Sequence, residues 1–185
     1  MSTQESYATF MMDHAAGNHA EAFALAGDLH IALSADGAEA GLLWAVIGGA
    51  LLENAARAAP RPAAGKRRQK AHREYETAEM LLAGSDTMLD WKRGISGVAY
   101  ARTATPGASF MKLEPGQAAP MHGHSNIEAT VVLSGQFSDG HGVYSRGDLV
   151  LGEPGQRHKP AAIGDEQCIC FVAEKPRPFW KAFLK

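Results

Sequence analysis

The stretch that decides the fold is Gly116-Gln-Ala-Ala-Pro-Met-His122-Gly-His124-Ser-Asn-Ile-Glu128. Within it, His122 and His124 lie two residues apart, so an extended strand points both imidazoles to the same face. Glu128 keeps the same parity, and His158 follows later in the chain. Imidazole and carboxylate donors without sulfur suit zinc, manganese, iron, cobalt or nickel. The spacing therefore predicts a metal site on β-strands, with His158 arriving from another strand.

The residues that follow alternate as a strand with one face turned inward. Glu128, Thr130 and Val132 share a face of segment 128–133, because successive strand side chains point to opposite sides. That face would line the inside of a barrel, where the Glu128 carboxylate meets the imidazoles. Glycine-containing turns recur at short intervals from Trp91 onward, which is typical of short antiparallel strands.

The order of these residues resembles the first cupin motif: Gly, five residues, His-x-His, three residues, Glu, six residues, Gly. A second cupin motif runs from Gly147 to His158 and beyond, with Pro154 one place late and Ala162 in place of an Asn. The resemblance implies a jelly-roll barrel, or double-stranded β-helix, from about residue 95 to 180. It also implies one divalent ion with four ligands: His122, His124, Glu128 and His158.

Zinc is the first expectation for this ion, with iron, manganese, nickel and cobalt as alternatives. On a six-coordinate ion the four ligands leave room for water, which permits Lewis-acid or oxygen chemistry. On tetrahedral zinc the same ligands close the site and make it structural or sensory. No residue outside this set is predicted to be catalytic or to bind a further cofactor, and His141 is expected to be exposed in a hairpin turn.

The overall composition does not favour a nucleic-acid or membrane partner. The 185 residues carry a formal charge of −2 and a pI near 6.4, which gives no overall electrostatic case for nucleic-acid or membrane binding. No run reaches the roughly 18 apolar residues of a membrane span, so we expect a cytoplasmic protein. Cys168 and Cys170 alternate on a predicted strand, where a disulfide between them is geometrically poor. Buried apolar side chains are the first interpretation, and a redox pair is the alternative.

The first 57 residues are alanine-rich and are predicted to form a small helical bundle. Ser2 with Glu5 and Asn18 with Glu21 have the spacing of capping boxes, and Gly17 lies where a helix would stop. A third helix is expected from Ala38 to about Ala56. We expect Phe10, Phe23, Leu29, Leu42 and Val46 to hold these helices together.

Residues 58–90 are predicted to be a linker with a short fourth helix. The segment 58–65 contains two prolines and nothing large to bury, and a basic run at 66–73 follows. A solvated linker is the first interpretation of this run, ahead of contact with a partner protein and with nucleic acid. Residues 91–185 are assigned to the cupin barrel, and the aromatic tail at 176–183 is expected to pack on its exterior or at a dimer contact. The fold class is thus α+β in two parts.

A helical module joined to one cupin is similar to the ChrR-type anti-sigma factors. The residues that carry the resemblance are Ala15-Ala-Gly17, Glu21-Ala-Phe23-Ala-Leu25, His30-Ile-Ala-Leu33, Gly48-Gly-Ala-Leu-Leu-Glu53, Pro115-Gly-Gln-Ala-Ala-Pro120, His122-Gly-His124, Glu128, Leu133-Ser-Gly135, Gly147-Asp148, His158 and Cys168-Ile-Cys170. The resemblance implies that the helices sequester an extracytoplasmic-function sigma factor and that the cupin serves the response to singlet oxygen or related stress.

The chain departs from this family at the zinc site of the helical module. His30 is present, but Ser34 and Gly37 stand where the family has two cysteines, and no histidine lies in the first thirteen residues. Two missing thiolates leave too few ligands for structural zinc, so we expect none there. His30 is then interpreted as an ordinary helix residue.

Two functions remain open at this stage. The first is an anti-sigma factor whose helices bind the sigma factor and whose metal-loaded cupin is a stress sensor. The second is a cupin metalloenzyme, a dioxygenase or isomerase, whose helices form a homodimer. Met111, Met121, Phe137 and Tyr144 would lie near its barrel, and none of them is assigned as a substrate contact. We favour the first, in which the protein is not an enzyme and binds neither nucleic acid nor membrane directly.

Overall fold

A computed structural model describes residues 3–58 and 89–175. Three helices come first: α1 (Thr3–Ala15), α2 (Glu21–Leu33) and α3 (Ala35–Ala58). Eleven strands follow: β1 (Lys92–Arg93), β2 (Ala99–Arg102), β3 (Ala108–Leu113), β4 (His122–Gly123), β5 (Glu128–Ser134), β6 (Gln136–Ser138), β7 (Val143–Ser145), β8 (Leu149–Gly152), β9 (Arg157–His158), β10 (Ala161–Ile163) and β11 (Cys168–Glu174). The predicted α+β class, helices before a β-barrel, is confirmed.

The strands form a barrel of antiparallel pairs. The large sheet has the order β1-β2-β3-β11-β5-β8, a second sheet has the order β10-β6-β7, and β4 pairs with β9 at one end. Side chains from the two larger sheets meet in one apolar interior, where Met111 and Val132 contact the cluster that contains Phe137 and Ala162. Two facing antiparallel sheets around one core are the jelly-roll arrangement expected from the sequence.

Strand β5 is buried on both faces. As predicted, Thr130 and Val132 point into the barrel, where Thr130 lines a cavity and Val132 joins the interior core. The alternate residues Ala129, Val131 and Leu133 belong to a second core that lies between the sheet and the helices. Because both faces of β5 are covered, nearly all of its interior residues are apolar.

Helices α1 and α2 are docked on the outer face of the large sheet. Phe10 and Met11 from α1 and Leu25 and Leu29 from α2 are buried in the same core as Phe171 of β11. Each such side chain contributes roughly 1.5–3 kcal/mol on full burial. The boundaries predicted at residues 57 and 90 remain predictions, since residues 59–88 lie outside the described part of the chain.

The end of α1 follows the sequence, whereas the start of α2 does not. Gly17 has φ +69°, and the Gly17 and Asn18 amides donate to the carbonyls of His14 and Asp13 at 3.0 and 2.9 Å. These two bonds form a Schellman cap. The predicted Asn18 cap of α2 is wrong, because α2 begins after Ala20 without a side-chain cap. The Asn18 side-chain nitrogen Nδ2 instead donates to the Asp13 carboxylate at 3.3 Å.

Helix α3 begins three residues earlier than predicted and turns an apolar face outward. Its Leu42, Leu43 and Val46 side chains are 68%, 53% and 62% exposed. The expectation that Leu42 and Val46 hold the helical bundle together is therefore wrong. Four predictions lie outside the described residues: the Ser2 cap, the solvated basic run, the fourth helix and the packing of the aromatic tail.

No single helix in residues 3–58 or 89–175 has the length and apolar character to span a membrane. Helix α2 together with residues 35–48 of α3 passes that test only as a pair bent by 116°.

Candidate metal centre

Three imidazoles converge at one end of the barrel. The Nε2 atom of His158 lies 2.9 Å from Nε2 of His124 and 3.0 Å from Nε2 of His122. The β4–β9 pairing produces this arrangement, because its register places His122 directly opposite His158. The structure thus brings together three of the four residues that the sequence predicted as ligands, from segments more than thirty residues apart.

The other nitrogen of two of these rings faces an acceptor. Nδ1 of His122 lies 2.8 Å from the Pro120 carbonyl oxygen, which accepts a hydrogen bond but cannot donate one. Nδ1 of His124 lies 3.4 Å from the Glu128 carboxylate. Both contacts place the proton on Nδ1, so that the Nε2 lone pairs point into the cluster. Orienting contacts of this kind are usual around metal-binding histidines.

Glu128 lies beside the cluster rather than within it. Its Oε2 atom contacts Nδ1 of His124 and its Oε1 atom accepts a hydrogen bond from Thr130 at 3.2 Å. The group that could hold an ion in the described residues is formed by the three histidines. Glu128 lines the same cavity as they do, and its role as the fourth ligand stays a prediction.

Burial and the neighbouring His122 and His124 rings lower the pKa of His158 to about 4. Removal of an imidazolium from water and its repulsion by nearby rings both favour the neutral form. His158 is therefore neutral at pH 7, which is the form that binds metal through a ring nitrogen.

The arrangement fits a divalent metal ion. Two nitrogens each bound ~2.1 Å from one ion lie roughly 3.0 Å apart at right angles and about 3.4 Å apart at tetrahedral angles. The observed separations of 2.9 and 3.0 Å match the right-angle value and are shorter than the tetrahedral one. Three imidazole donors are compatible with zinc and with iron, manganese, cobalt or nickel, so the cluster is consistent with a metal site and does not identify the metal.

A cavity of about 360 Å³ opens next to the three histidines. Apolar side chains, including Met111, Phe137 and Val172, form part of its wall, while Thr130 and Glu174 add polar groups. A second cavity of about 240 Å³ lies between α1 and the barrel and shares His158 with the first. Of the other residues expected near the barrel, Tyr144 lines this second cavity. Met121, which precedes His122, is exposed to solvent.

His30 is not an ordinary helix residue, which corrects the interpretation of the sequence. It is 3% exposed, its Nδ1 atom lies 2.7 Å from the Gly147 carbonyl oxygen, and its Nε2 atom lies 2.8 Å from the Tyr7 hydroxyl. Since a carbonyl only accepts, Nδ1 donates and Nε2 accepts from Tyr7. His30 therefore joins α1, α2 and the β7–β8 turn.

The surroundings of His30 do not fit a zinc site. Both of its nitrogens are hydrogen-bonded, and Ser34 and Gly37 supply no thiolate. A Cβ atom at Gly37 would lie 2.8 Å from Cδ2 of the His30 ring, so the ring fills the space next to that position. Sequence patterns did not identify the hydrogen-bonding role of His30, because its partners are 23 and 117 residues away.

The two cysteines are free thiols inside the barrel. Both are fully buried, and their Sγ atoms lie 3.6 Å apart, which confirms that their side chains share a face. The contact with Cys168 and burial raise the pKa of Cys170. His141 lies in the β6–β7 turn and is exposed, as predicted.

A helical module docked on a jelly-roll barrel with a three-histidine cluster defines a cupin protein with an N-terminal helical domain. A family model described as the ChrR cupin-like domain matches residues 86–178. Anti-sigma-E factor ChrR of Cereibacter sphaeroides is 31% identical over 192 residues, which cover 92% of this chain and 89% of that protein. The chain belongs to the ChrR family.

A solved structure extends the similarity to the whole fold. The crystal structure of Rhodobacter sphaeroides SigE in complex with the anti-sigma ChrR matches with a TM-score of 0.74 and 26% sequence identity. The match covers 91% of this chain and 96% of the other. The similarity therefore includes the helices as well as the barrel.

Proposed function

We propose that this protein is an anti-sigma factor that sequesters an extracytoplasmic-function sigma factor through its N-terminal helices. The observation that carries the proposal is the similarity to an anti-sigma factor over nine-tenths of the chain. A match of similar extent to a chain from a sigma–anti-sigma complex supports it. The similarity includes both the helices and the cupin. It therefore supports a shared function more strongly than a similarity restricted to the cupin barrel would.

The outward face of α3 supplies a surface for this partner. Leu42, Leu43, Val46 and Ile47 are all exposed and lie within six residues on one helix. Large exposed apolar patches on soluble proteins mark interaction sites, and amphipathic helices are common partners in such sites. The apolar sides of α1 and α2 already contact the barrel, so among the three helices in residues 3–58 it is α3 that presents an apolar face to a sigma factor.

The cupin is proposed to hold one divalent ion and to act as the stress sensor. The three clustered imidazoles support the site, and we propose Glu128 as the fourth ligand because its carboxylate borders the same cavity. Zinc is the proposed ion, since three imidazoles and one carboxylate complete its usual four ligands. The helical module is proposed to hold no zinc of its own.

The test is direct binding of the full chain to each extracytoplasmic-function sigma factor of its source organism. Val46→Glu alters the exposed face of α3, and Val143→Glu is a matched control because the two valines are 62% and 61% exposed. We expect one sigma factor to bind the wild type and the control equally. The Val46 variant should bind at least about tenfold more weakly, because a charge would be buried at the contact.

The same proteins should separate in a transcription assay. Wild-type protein and Val143→Glu should suppress transcription by that sigma factor at equimolar concentration, whereas Val46→Glu should not. If no sigma factor binds the wild type, the proposal is wrong. A dimer in which α3 covers a second copy would then account for the exposed face and would be detected by light scattering.

A cupin metalloenzyme is the second candidate, and the 360 Å³ cavity beside the histidines is the observation that favours it. That volume lies within the range of small-molecule sites. Metal analysis of the protein as expressed separates the candidates. Tightly held zinc supports the sensor. Iron accompanied by oxygen uptake that His158→Ala abolishes supports the enzyme.

A further inference from the structure

One short loop connects the histidine cluster to helix α1. The β8–β9 loop, Glu153–Gln156, begins next to Gly152 and ends two residues before His158. The Gly155 amide donates to the His124 carbonyl oxygen at 2.9 Å, and the Gln156 amide donates to the Glu153 carbonyl oxygen at 3.1 Å. The loop is therefore bonded both to itself and to a residue of the cluster.

The His124 ring packs against the strand residue that precedes this loop. A Cβ atom placed on Gly152 would lie 3.2 Å from Cδ2 of that ring and 3.6 Å from Cβ of Glu128. Gly152 thus permits a close approach that a larger residue would hinder. A shift of the His124 ring toward Gly152 would bring it closer to the backbone just before Glu153.

On its other side, the loop is attached to α1. The Ser6 hydroxyl donates a hydrogen bond to Oε1 of Glu153, and Ser6 is 3% exposed. A hydrogen bond to a carboxylate is stronger than one between neutral groups, and this one is partly buried. Ser6 and Glu153 are 147 residues apart in the chain, so the bond joins the helical module directly to the loop that leads to His158.

The second cavity gives the loop space to move. This cavity of about 240 Å³ is bordered by Ser6 and Tyr7 on the helix, by Glu153 and Gln156 on the loop, and by His158 of the cluster. A filled interior would resist displacement, because close-packed side chains leave no room for it. The open space between the helix and the cluster leaves room for the loop to be displaced.

We propose that Ser6 and Glu153 are positioning residues that couple metal binding at the histidine cluster to the docking of α1. Metal holds His124 and His158 in place, and these residues hold the loop, whose Glu153 then keeps Ser6 and α1 on β8. Loss of the metal releases the loop and loosens α1. The use of this coupling to control a sigma factor rests on the proposed function, whereas the coupling itself does not.

The experiment is hydrogen–deuterium exchange of the full chain, with and without zinc chloride. In the wild type, zinc should slow exchange in peptides from α1 about fivefold or more, a typical size for coupling between sites. In Ser6→Ala and Glu153→Ala, each of which removes one partner of the hydrogen bond, zinc should still protect the residues around His158 but leave α1 exchange unchanged. That retained protection shows that both variants fold and bind the ion.

Matched controls separate the bond from a general effect of substitution. Thr9→Ala removes a hydroxyl from an exposed position of α1, and Glu166→Ala removes an exposed carboxylate in the β10–β11 turn. Both should show the wild-type protection of α1. The inference is overturned if zinc leaves α1 unchanged in the wild type, or if α1 remains protected in both test variants.

Sigma-factor binding then tests the use of the coupling. The metal-loaded wild type should bind the sigma factor about fivefold to thirtyfold more tightly than the metal-free form, and this ratio should fall to about twofold or less in Ser6→Ala. Linkage requires the sigma factor to raise zinc affinity by the same factor. If no sigma factor binds while exchange responds to zinc as expected, the proposed function fails and the coupling stands.

Discussion

At the scale of single residues, histidines do different work in the two halves of the molecule. In the barrel, His122, His124 and His158 turn their Nε2 atoms toward one point. In the helical module, His30 uses both nitrogens in hydrogen bonds that join two helices and a barrel turn. The imidazole is the same in both places, and its neighbours decide whether its nitrogen is available for a metal ion or is used in hydrogen bonds to backbone and side chain.

Replacement of His30 should destabilise the whole chain. His30→Ala removes two buried hydrogen bonds and leaves the Gly147 carbonyl and the Tyr7 hydroxyl without this partner, so we expect a loss of about 3 kcal/mol in the free energy of unfolding. Tyr7→Phe removes one bond and should cost about 1 kcal/mol. Urea denaturation measures both. His141→Ala, at an exposed histidine, should stay within about 0.5 kcal/mol of the wild type.

Zinc affinity should separate ligands from their neighbours. As proposed ligands, His158 and Glu128 should each be essential, so His158→Ala and Glu128→Gln should lower affinity by more than about a hundredfold in competition with a chelator. Substitution of a residue that only orients a ligand lowers affinity about 10–100-fold, which is the range expected for Thr130→Val. A Glu128→Gln loss in that smaller range would make Glu128 a partner of His124 and not a ligand.

At the scale of elements, the barrel depends on glycines at its turns. Gly135 joins β5 to β6 with φ +66°, and a Cβ atom there would lie 2.4 Å from the Gln167 carbonyl oxygen. Gly116 has φ +72°, with nothing within 4 Å of its missing Cβ. The two positions share a left-handed backbone and differ only in the space around them.

This difference predicts unequal costs for the same substitution. Gly116→Ala carries the left-handed backbone penalty of about 1–2 kcal/mol. Gly135→Ala adds a clash with backbone that cannot rotate away, so we expect about 2–4 kcal/mol. Thermal unfolding of the metal-free proteins measures the difference. Equal costs would show that the β10–β11 turn moves aside.

The elements also show how far the sequence alone leads. Short-range patterns predicted the barrel, the parity of β5, the Gly17 helix stop and the residues of the metal cluster, because strand alternation and turn chemistry are local. The apolar pattern of α3 wrongly predicted that Leu42 and Val46 lie in the core of the helical bundle. An apolar stripe on a helix does not show whether the chain itself or a partner buries it. The contacts of His30 with Gly147 and of Ser6 with Glu153 were not predicted, because no local pattern links residues more than one hundred positions apart.

At the scale of the whole molecule, the helices and the barrel share one core. Leu29 from α2 and Phe171 from β11 lie in the same buried cluster, together with residues of α1 and β5. A helical fragment without the barrel would expose the apolar faces of α1 and α2. Binding studies therefore need the full chain.

The shared core predicts a single unfolding transition. Loss of helical circular dichroism and exposure of the buried thiols of Cys168 and Cys170 should occur at the same urea concentration. Leu29→Ala should shift both signals together by about 2–5 kcal/mol, because its cavity lies at the common interface. Helix loss that precedes thiol exposure would show that the two parts unfold independently.

The described helices differ in what their apolar faces contact, and this difference has an evolutionary consequence. Substitutions on the buried faces of α1 and α2 are constrained by the protein's own barrel, whereas those on the outward face of α3 leave its packing untouched. The residues proposed to choose the partner are thus separate from the residues that maintain the fold. On the proposed function, specificity for a new sigma factor can arise by substitution on one helical surface while the cupin and its stability are inherited intact.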